Sequence, residues 1–443
     1  MNPLFQNHQR WPTVGVYEVV VIGAGPAGIG AAVAASKLGL KTLVVEKYGF
    51  PGGTGTISCT PHFMGFFAEG EQIIGGVADD LVRELDQMGE AQFQRELDNP
   101  KPIGERPLLD DIVTSVAGVR VAANRLLEEA EVDRMYYTSM IGVVTEGTQV
   151  KSIAVDREEG LGLIYGDTFV DATGDANLVY RAGGEVREYS KEHSMTKTLN
   201  IHVGGVKDFN RSKVEEKFKK LVENGEIPFK GQDRFMGWPH PKHEGEVHLN
   251  FTLTTGNGLL SSELTCMDIE LRKQVLRAVE WFRERIPGFN DCFLVDSAVR
   301  VGVRAGRGIV GVDTLTKEQI DENNPVEEPI LLCTRSYGGH YMTAFRPPWH
   351  TSQSGIYSIP WKTLLPTSFS NVTVGGRAIS CDVRVMDTFR LMSRCMGLGQ
   401  AAGVTAALAT KHDQGVKEVS YEQVRENLIQ QNALLAEESV VKS

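Results

Sequence analysis

Apolar and polar positions along the chain fall into two textures. Near the N-terminus, Tyr17–Ile22 (YEVVVI) and Lys41–Glu46 (KTLVVE) are short, β-branched apolar runs. Such runs read as strands buried on both faces, as in a parallel sheet. Between them, IGAAVAASKLG is an Ala-rich helical pattern, with Pro26 at its start and Gly39 just past its end, the usual asymmetry of helix termini. The first 46 residues therefore contain a β-α-β unit. Gly76–Met88 has helical spacing of Val77, Leu81, Val82 and Leu85, and Val121–Glu131 is a second amphipathic helix. Residues 99–106 are rich in Pro and Gly and read as a loop. Arg134–Tyr137, Met140–Glu146 and Val150–Asp156 look like strands of a small antiparallel sheet, and Gly166–Ala172 returns to the buried texture.

From about Gly184 to Pro366 the texture changes. Extended segments at Thr196–Val206, Glu246–Thr255, Pro329–Ser336 and Gly355–Trp361 surround one long helix, Glu270–Arg285. This is the pattern of an α+β unit with an antiparallel sheet. Asn371–Gly376 is again a parallel-type strand, followed by a Gly- and Ala-rich helix, Gly397–Thr410. The expected fold is α/β: a Rossmann-like nucleotide-binding domain with a parallel sheet, plus a second α+β substrate domain with an antiparallel sheet. The first is discontinuous, residues 1–183 and 367–443; the second is residues 184–366. The polar tail after Ala436 is expected to fray.

Composition narrows the function classes. The 443 residues are 41 % hydrophobic and 23 % charged, ordinary for a globular protein of two domains. A net charge of −11 with no basic stripe argues against a nucleic-acid partner. Lys213–Lys220 is interleaved with Glu215 and Glu216 and reads as an exposed helix face. No apolar run is long enough to span a bilayer and the N-terminal residues lack a secretory pattern, so a cytoplasmic location is expected. Six cysteines include no C-x-x-C pair, so no metal site is expected and the thiols read as reduced and mostly buried.

Chemistry enters at the first turn. Gly23-Ala24-Gly25-Pro26-Ala27-Gly28 follows a strand and opens a helix, and Glu46 lies about 20 residues on. Gly23 allows the tight turn, Gly25 the approach of a pyrophosphate, and Gly28 close helix–strand packing. Free N–H groups and the dipole at the helix start favour phosphate. Glu46, at the end of the second strand, is placed to accept hydrogen bonds from a ribose, and Lys47 joins it in the candidate set. Two later segments follow buried strands: Asp171-Ala172-Thr173-Gly174-Asp175, and Val374-Gly375-Gly376-Arg377 near the C-terminus. A chain that leaves a nucleotide domain and returns at its end to touch the ligand again is laid out like a flavoprotein rather than a simple NAD dehydrogenase.

The stretches VVVIGAGPAGIGAAVAASKLG, VVEKYGFPGGTGT, FVDATGDANL, VGVRAGRGIVG, GIYSIPWKTLLP and VTVGGRAIS with RLMSRCMGLGQAAGVTAALA span nearly the whole chain. In these the chain resembles the FAD-dependent oxidoreductase family, glutathione-reductase-like flavoproteins related to the fumarate-reductase and thiazole-synthase flavoproteins. The resemblance implies noncovalent FAD. It puts Gly53 and Thr54 near the flavin and Met140 and Ile141 by the adenine. It aims the N-terminus of the helix carrying Gly399, Gln400, Ala401 and Ala402 at the pyrimidine edge of the isoalloxazine, where a helix dipole stabilises negative charge. The segment ISCDVRVMDTF after Arg377 departs from the family pattern, which leaves Asp382 without an assigned role.

Substrate residues are expected on the second domain. Arg300, Arg304 and Arg307 lie on VRVGVRAGRG, where a guanidinium could hold a substrate carboxylate; the plainer reading is an interdomain ion pair. Tyr337, His340 and Tyr341 flank Gly338-Gly339, a sharp turn that could present a proton donor or acceptor. His340 with Tyr337, Arg300 and Arg304 are the catalytic candidates; His350, Arg346 and His62 have weaker support. Cys59, without a neighbouring cysteine, argues against a disulfide-reductase mechanism. The expected function is hydride transfer between a small molecule and flavin N5, with oxygen or a redox partner as electron acceptor. The alternatives are a nucleotide-consuming synthase resembling thiazole synthases and a flavin-bearing electron-transfer subunit. The sequence leaves room for a homo-oligomer.

Overall fold

The structure is a computed structural model and describes residues 11–68, 71–93, 112–189, 195–229, 231–322, 326–335 and 355–435. Along the chain the principal elements are β1 (Thr13–Ile22), α1 (Pro26–Lys37), β2 (Thr42–Val45), α2 (Val77–Gln87), α3 (Val116–Glu129), β3 (Asp133–Met135), β4 (Ser139–Glu146), β5 (Gln149–Arg157) and β6 (Gly160–Asp171). Then come β7 (Ile201–Gly204), β8 (Gly237–Pro239), β9 (Val247–Leu249), α4 (Ser261–Arg285), β10 (Phe293–Ser297), β11 (Pro329–Thr334), β12 (Ile356–Pro360), β13 (Val372–Val374) and α5 (Met392–Lys411).

One seven-stranded sheet runs β3-β2-β1-β6-β5-β4, with β13 also on β6. Strands β3, β2, β1, β6 and β13 are parallel neighbours, whereas β6-β5 and β5-β4 are antiparallel. The expected small antiparallel sheet is thus not separate. Its first strand, β3, joins the parallel edge beside β2, and the other two attach through the twelve-residue β6. Sequence reading saw only the buried back half of β6. Its front half carries Tyr165 and Leu161 to solvent, so it lacks the continuous apolar signal.

On one edge, β6 pairs with β1 from Leu163 to Asp171. On the other it changes partner: β5 along Gly160–Tyr165, then β13 along Phe169–Asp171. Asn371 fills the junction, accepting from Val150 N at 2.9 Å and donating to the carbonyls of Val150 and Asp167, both at 2.8 Å. Alternate residues of β1 serve opposite faces. Val19 and Val21 join the core under α1 and α5, and Val20 and Ile22 join the core with Ile153, Ile164 and Phe169.

Helices α1 and α5 cross almost backbone to backbone. A Cβ added to Gly399 would lie 2.7 Å from Ala27 Cα, and one on Gly403 would lie 2.7 Å from Ala31 Cα. Only hydrogen in those places lets the helices approach so closely. A second sheet, β8-β9-β7-β10, backs onto α4 over a separate core rich in aromatics, including Phe218, Phe251, Trp281 and Phe282. The β11–β12 ribbon, whose extended texture pointed to the second unit, instead packs in the first core through Ile330, Leu331, Cys333 and Ile359. Its Leu331 faces Gly397 of α5. Among the described residues, no helix is long and apolar enough to cross a membrane, and no group of three or more His, Cys, Asp or Glu could hold a metal ion.

Candidate functional site

The parallel strands β1, β2, β6 and β13 end side by side, and the residues after each strand open onto one cavity of about 490 Å³. Ligands of open α/β sheets sit beyond such carboxyl ends. The cavity is lined by Gly23, Gly25, Pro26 and Ala27 after β1, Glu46 and Lys47 after β2, Thr173, Gly174 and Asp175 after β6, and Gly376 and Arg377 after β13. Gly53, Thr54, Met140 and Ile141 also line it.

The first turn is held by short backbone contacts. Gly23, at φ +98°, donates to Val45 O at 2.7 Å, and a Cβ there would meet Ala172 O at 2.8 Å. Gly25 caps α1 without a side-chain bond. A Cβ on Gly25 meets only Gly53 Cα, at 3.8 Å, whereas a Cβ on Gly53 would crowd Gly25 Cα at 2.7 Å. Gly53 therefore packs directly on Gly25, while position 25 itself keeps ordinary contact space, and both glycines line the cavity. Gly28 does not line the cavity; a Cβ there would sit 2.8 Å from the Gly23 carbonyl carbon, so its work is packing.

Glu46 is 9 % exposed. One carboxylate oxygen accepts from Ala24 N at 2.8 Å and the other from Tyr48 N at 3.0 Å. These bonds tie the β2 end to the glycine turn and fix the carboxylate at the rim, with lone pairs left for a diol. Lys47 has its pKa lowered by burial in the cavity and then by the charge of Arg300. At the same end, Arg181 donates to Ile141 O at 2.7 Å.

The β6 loop is built around Asp171, fully buried, whose carboxylate accepts from Thr173 N, Thr173 Oγ1, Leu178 N and Val179 N. Asp175 then pairs with Arg377 at 2.7 Å. Arg377 also donates to Gly174 O at 2.7 Å and to Val303 O, so a single guanidinium joins the β6 loop, the β13 loop and the 300–307 segment. Arg307 does not reach the cavity; it bonds Asn177 Oδ1 at 3.1 Å and lies over the Tyr180 ring. Asp382 is also structural, bonding Arg384 N at 2.9 Å.

The other end of the cavity carries polar residues from segments beside the second sheet. Arg304 lines the cavity, as does Arg300, whose charge acts on Lys47. Among the described residues, the Arg300 side chain has no hydrogen-bond or ion-pair partner; only its backbone N is bound, to Ile57 O at 3.1 Å. Arg304 donates to Thr196 O and, at 3.4 Å, to the hydroxyls of Thr196 and Thr198. Burial, then the nearby charge of Arg390, lowers its pKa to about 9. Arg390, also on the wall, is paired with Asp387.

Three residues at this end carry no motif. His62 is 8 % exposed and stacks on Trp238 with ring centroids 3.8 Å apart. Burial, then the charges of Arg211 and Arg390, lowers its pKa to about 3, so the imidazole is neutral at pH 7. Asn200 anchors the 58–60 turn through Nδ2, with contacts to Ser58 O, Cys59 O and Thr60 Oγ1. Asn250 is 8 % exposed, and among the described residues its side-chain amide has no protein partner. His62 stood low among the sequence candidates, and the two asparagines had no local signal.

The α5 expectation needs correction. The helix begins at Met392, not near Gly397, and it is the segment Arg390, Leu391, Met392 and Cys395 that lines the cavity. Leu391 caps the helix without a side-chain bond, so its first N–H groups are uncapped. Gly399, Gln400, Ala401 and Ala402 lie inside the helix and do not line the cavity. Gly399 presses on α1. Gln400 accepts from Val77 N at 3.2 Å, and Ala402 O accepts from Thr373 Oγ1 at 3.1 Å. Cys59 is buried off the cavity, with burial raising its pKa to about 11, which makes it a poor nucleophile. Tyr337, His340, Tyr341, Arg346 and His350 lie outside the described residues.

The family model described as FAD dependent oxidoreductase matches residues 18–428. Dihydrolipoyl dehydrogenase of Trypanosoma brucei brucei is 50 % identical over 52 residues, 12 % of this chain and 11 % of that protein. Thiamine thiazole synthase of Metallosphaera sedula is 27 % identical over 188 residues, 41 % of this chain and 62 % of that protein. These matches therefore span less than two thirds of each of those two relatives. A flavin-dependent brominase structure aligns with a TM-score of 0.49 at 15 % identity, covering 94 % of this chain and 84 % of that one.

Proposed function

The chain belongs to the FAD-dependent oxidoreductase family, whose cofactor is FAD, and we propose that it oxidises or reduces a small molecule by hydride transfer at flavin N5. The observation that carries this reading is the cavity joining the ends of four parallel strands to a polar wall beside the second sheet. The protein orients and tunes the cofactor, and FAD supplies the two-electron chemistry.

The residues present fit that group. Gly25 and Gly53 would let a pyrophosphate approach the backbone at the start of α1. Glu46 would hold the ribose diol, with Met140 and Ile141 beside the adenine. Thr173, Gly174, Asp175, Gly376 and Arg377 would close over the middle of the molecule, the Asp175–Arg377 pair fixing their loops. The uncapped N-terminus of α5 at Met392 would favour negative charge at the far end. Arg300 and Arg304 would draw substrate to that end, and His340 or Tyr337 would exchange its proton. Oxygen or a redox partner would take the electrons.

The test is to purify the protein, release its cofactor by denaturation and identify it by mass. A yellow protein yielding intact FAD, bleached by a substrate under anaerobic conditions, supports the reading. A colourless protein carrying an adenylated product points to synthase chemistry, and flavin that turns over only with a copurified partner points to an electron-transfer subunit.

A further inference from the structure

The polar wall at the far end of the cavity has a definite hydrogen-bonding character. The Arg304 guanidinium contacts only a backbone carbonyl and two threonine hydroxyls, and Arg300 has no side-chain partner among the described residues. Among the described residues, two guanidinium groups therefore line the cavity with no carboxylate bonded to either, and the start of α5, with no side-chain cap from Leu391, adds positive potential. Partly buried charge is costly unless paired. FAD brings a pyrophosphate, but the Gly25–Gly53 turn and the start of α1 stand ready for it.

His62 sharpens the picture. Its ring is clamped on Trp238 and makes no hydrogen bond among the described residues, and its Nδ1 is sealed from solvent without a partner. A sealed N–H without an acceptor is rarer than a sealed lone pair. The proton of the neutral ring therefore belongs on Nε2, the nitrogen left to the cavity side, where it is a donor. Asn250 adds an amide with no protein partner among the described residues. The guanidinium groups and His62 offer donors, the Asn250 amide can donate or accept, and Asn200 Oδ1 is a buried acceptor, so a ligand with several acceptors and a hydroxyl fits the wall.

We propose that this wall binds a small organic carboxylate with a second oxygen on the adjacent carbon: Arg304 pairs with the carboxylate, and His62 Nε2–H and Asn250 hold the neighbouring oxygen. This rests on the FAD oxidoreductase reading, because the carbon bearing that second oxygen is the one a hydride would leave or join. The neutral state of His62 suits a ligand of this kind, since a cationic ring near the Arg211 and Arg390 guanidinium groups would add repulsion.

The experiment titrates the FAD-loaded protein with glycolate, acetate and glycolamide and follows the visible flavin absorbance. Cofactor content is measured by mass on the same sample, so a flavin-free protein counts against the functional reading and a flavin-loaded protein that ignores carboxylates counts against this proposal alone. Glycolate should perturb the spectrum at concentrations at least tenfold below those needed for the neutral glycolamide. Arg304→Met should weaken both carboxylates by roughly 10- to 100-fold, the range of a lost hydrogen bond to a charged group. His62→Phe should erase the advantage of glycolate over acetate and leave FAD bound. The proposal is overturned if glycolamide matches glycolate in the unmodified protein, a comparison that needs no variant to fold. Sodium chloride giving the same perturbation, or no response to either carboxylate, also overturns it.

Discussion

Replacing Gly399 by alanine separates two roles that one glycine in a cofactor-family helix can play. A Cβ there would sit 2.7 Å from Ala27 Cα and 2.6 Å from its carbonyl carbon. Carbon atoms pack at about 3.5–4.0 Å, so α5 must retreat from α1 by roughly 1 Å. Overpacking of this kind costs about 1–3 kcal/mol. Both opposing surfaces are backbone and cannot rotate away, which puts Gly399→Ala near the upper end, about 3 kcal/mol. At about 1–2 °C per kcal/mol for a cooperative unit of this size, melting should fall by roughly 3–6 °C. The assay is far-UV circular dichroism melting with FAD content measured in parallel. Ala27 also lines the cavity, so cofactor retention should decline together with melting temperature. A variant that melts within about 1 °C of the parent and keeps its FAD refutes the packing argument. One that keeps its melting temperature but loses FAD would restore direct cofactor contact at Gly399.

Gly25→Val should do the opposite: its Cβ meets only Gly53 Cα at 3.8 Å, so the apo protein should fold normally while FAD content collapses, as judged by absorbance at saturating FAD. Glu46→Ala removes the carboxylate that accepts from Ala24 and Tyr48, and FAD affinity by equilibrium dialysis should weaken by about 1.5–3 kcal/mol. Arg377→Met leaves Asp175 without its ion-pair partner, with the two side chains only 19 % and 11 % exposed in the parent, and chemical denaturation should show a loss of about 3 kcal/mol. His62, held neutral with a pKa lowered to about 3, binds fewer protons folded than unfolded between that value and about 6.5. Its contribution to stability is complete above about pH 6.5 and falls as pH drops through this window, by about 1.4 kcal/mol per pH unit. His62→Phe should flatten that slope in denaturation curves; an unchanged slope would assign it to other groups, His248 first.

The glycine turn from Gly23 to Gly28 is legible in the sequence because its residues are contiguous and each has a local reason. Gly23 needs a positive φ, Pro26 sits where an N–H is dispensable, and Glu46 closes a strand. Gly399 misled because an intrahelical glycine signals close approach without saying to what, and only the position of α1 decides between ligand and backbone. The true start of α5 was hidden for a related reason. Leu391 is not a capping residue, so no N-cap pattern marks Met392. The three-residue β3 draws its place in the sheet from β2 rather than from its own apolar character. Asn200, Asn250 and His62 come from three distant segments, and nothing within any of those segments distinguishes them from ordinary polar residues.

The change of partner along β6 bears on how the molecule is made. While the chain emerges from the ribosome, β1, β2 and β6 can pair as soon as residue 171 is free, and N-terminal units generally fold first. At that stage Phe169–Asp171 still presents an open edge, because its neighbour Val372–Val374 lies some 200 residues downstream. An open apolar edge invites the wrong strand. Asn371, bonded to both Val150 and Asp167, acts as the latch that seats the late strand in register. Arg377 and the start of α5 reach the cavity only after that, so the cavity is completed at the end of synthesis. With FAD bound there as proposed, its loading would report on whether the last quarter of the protein has docked.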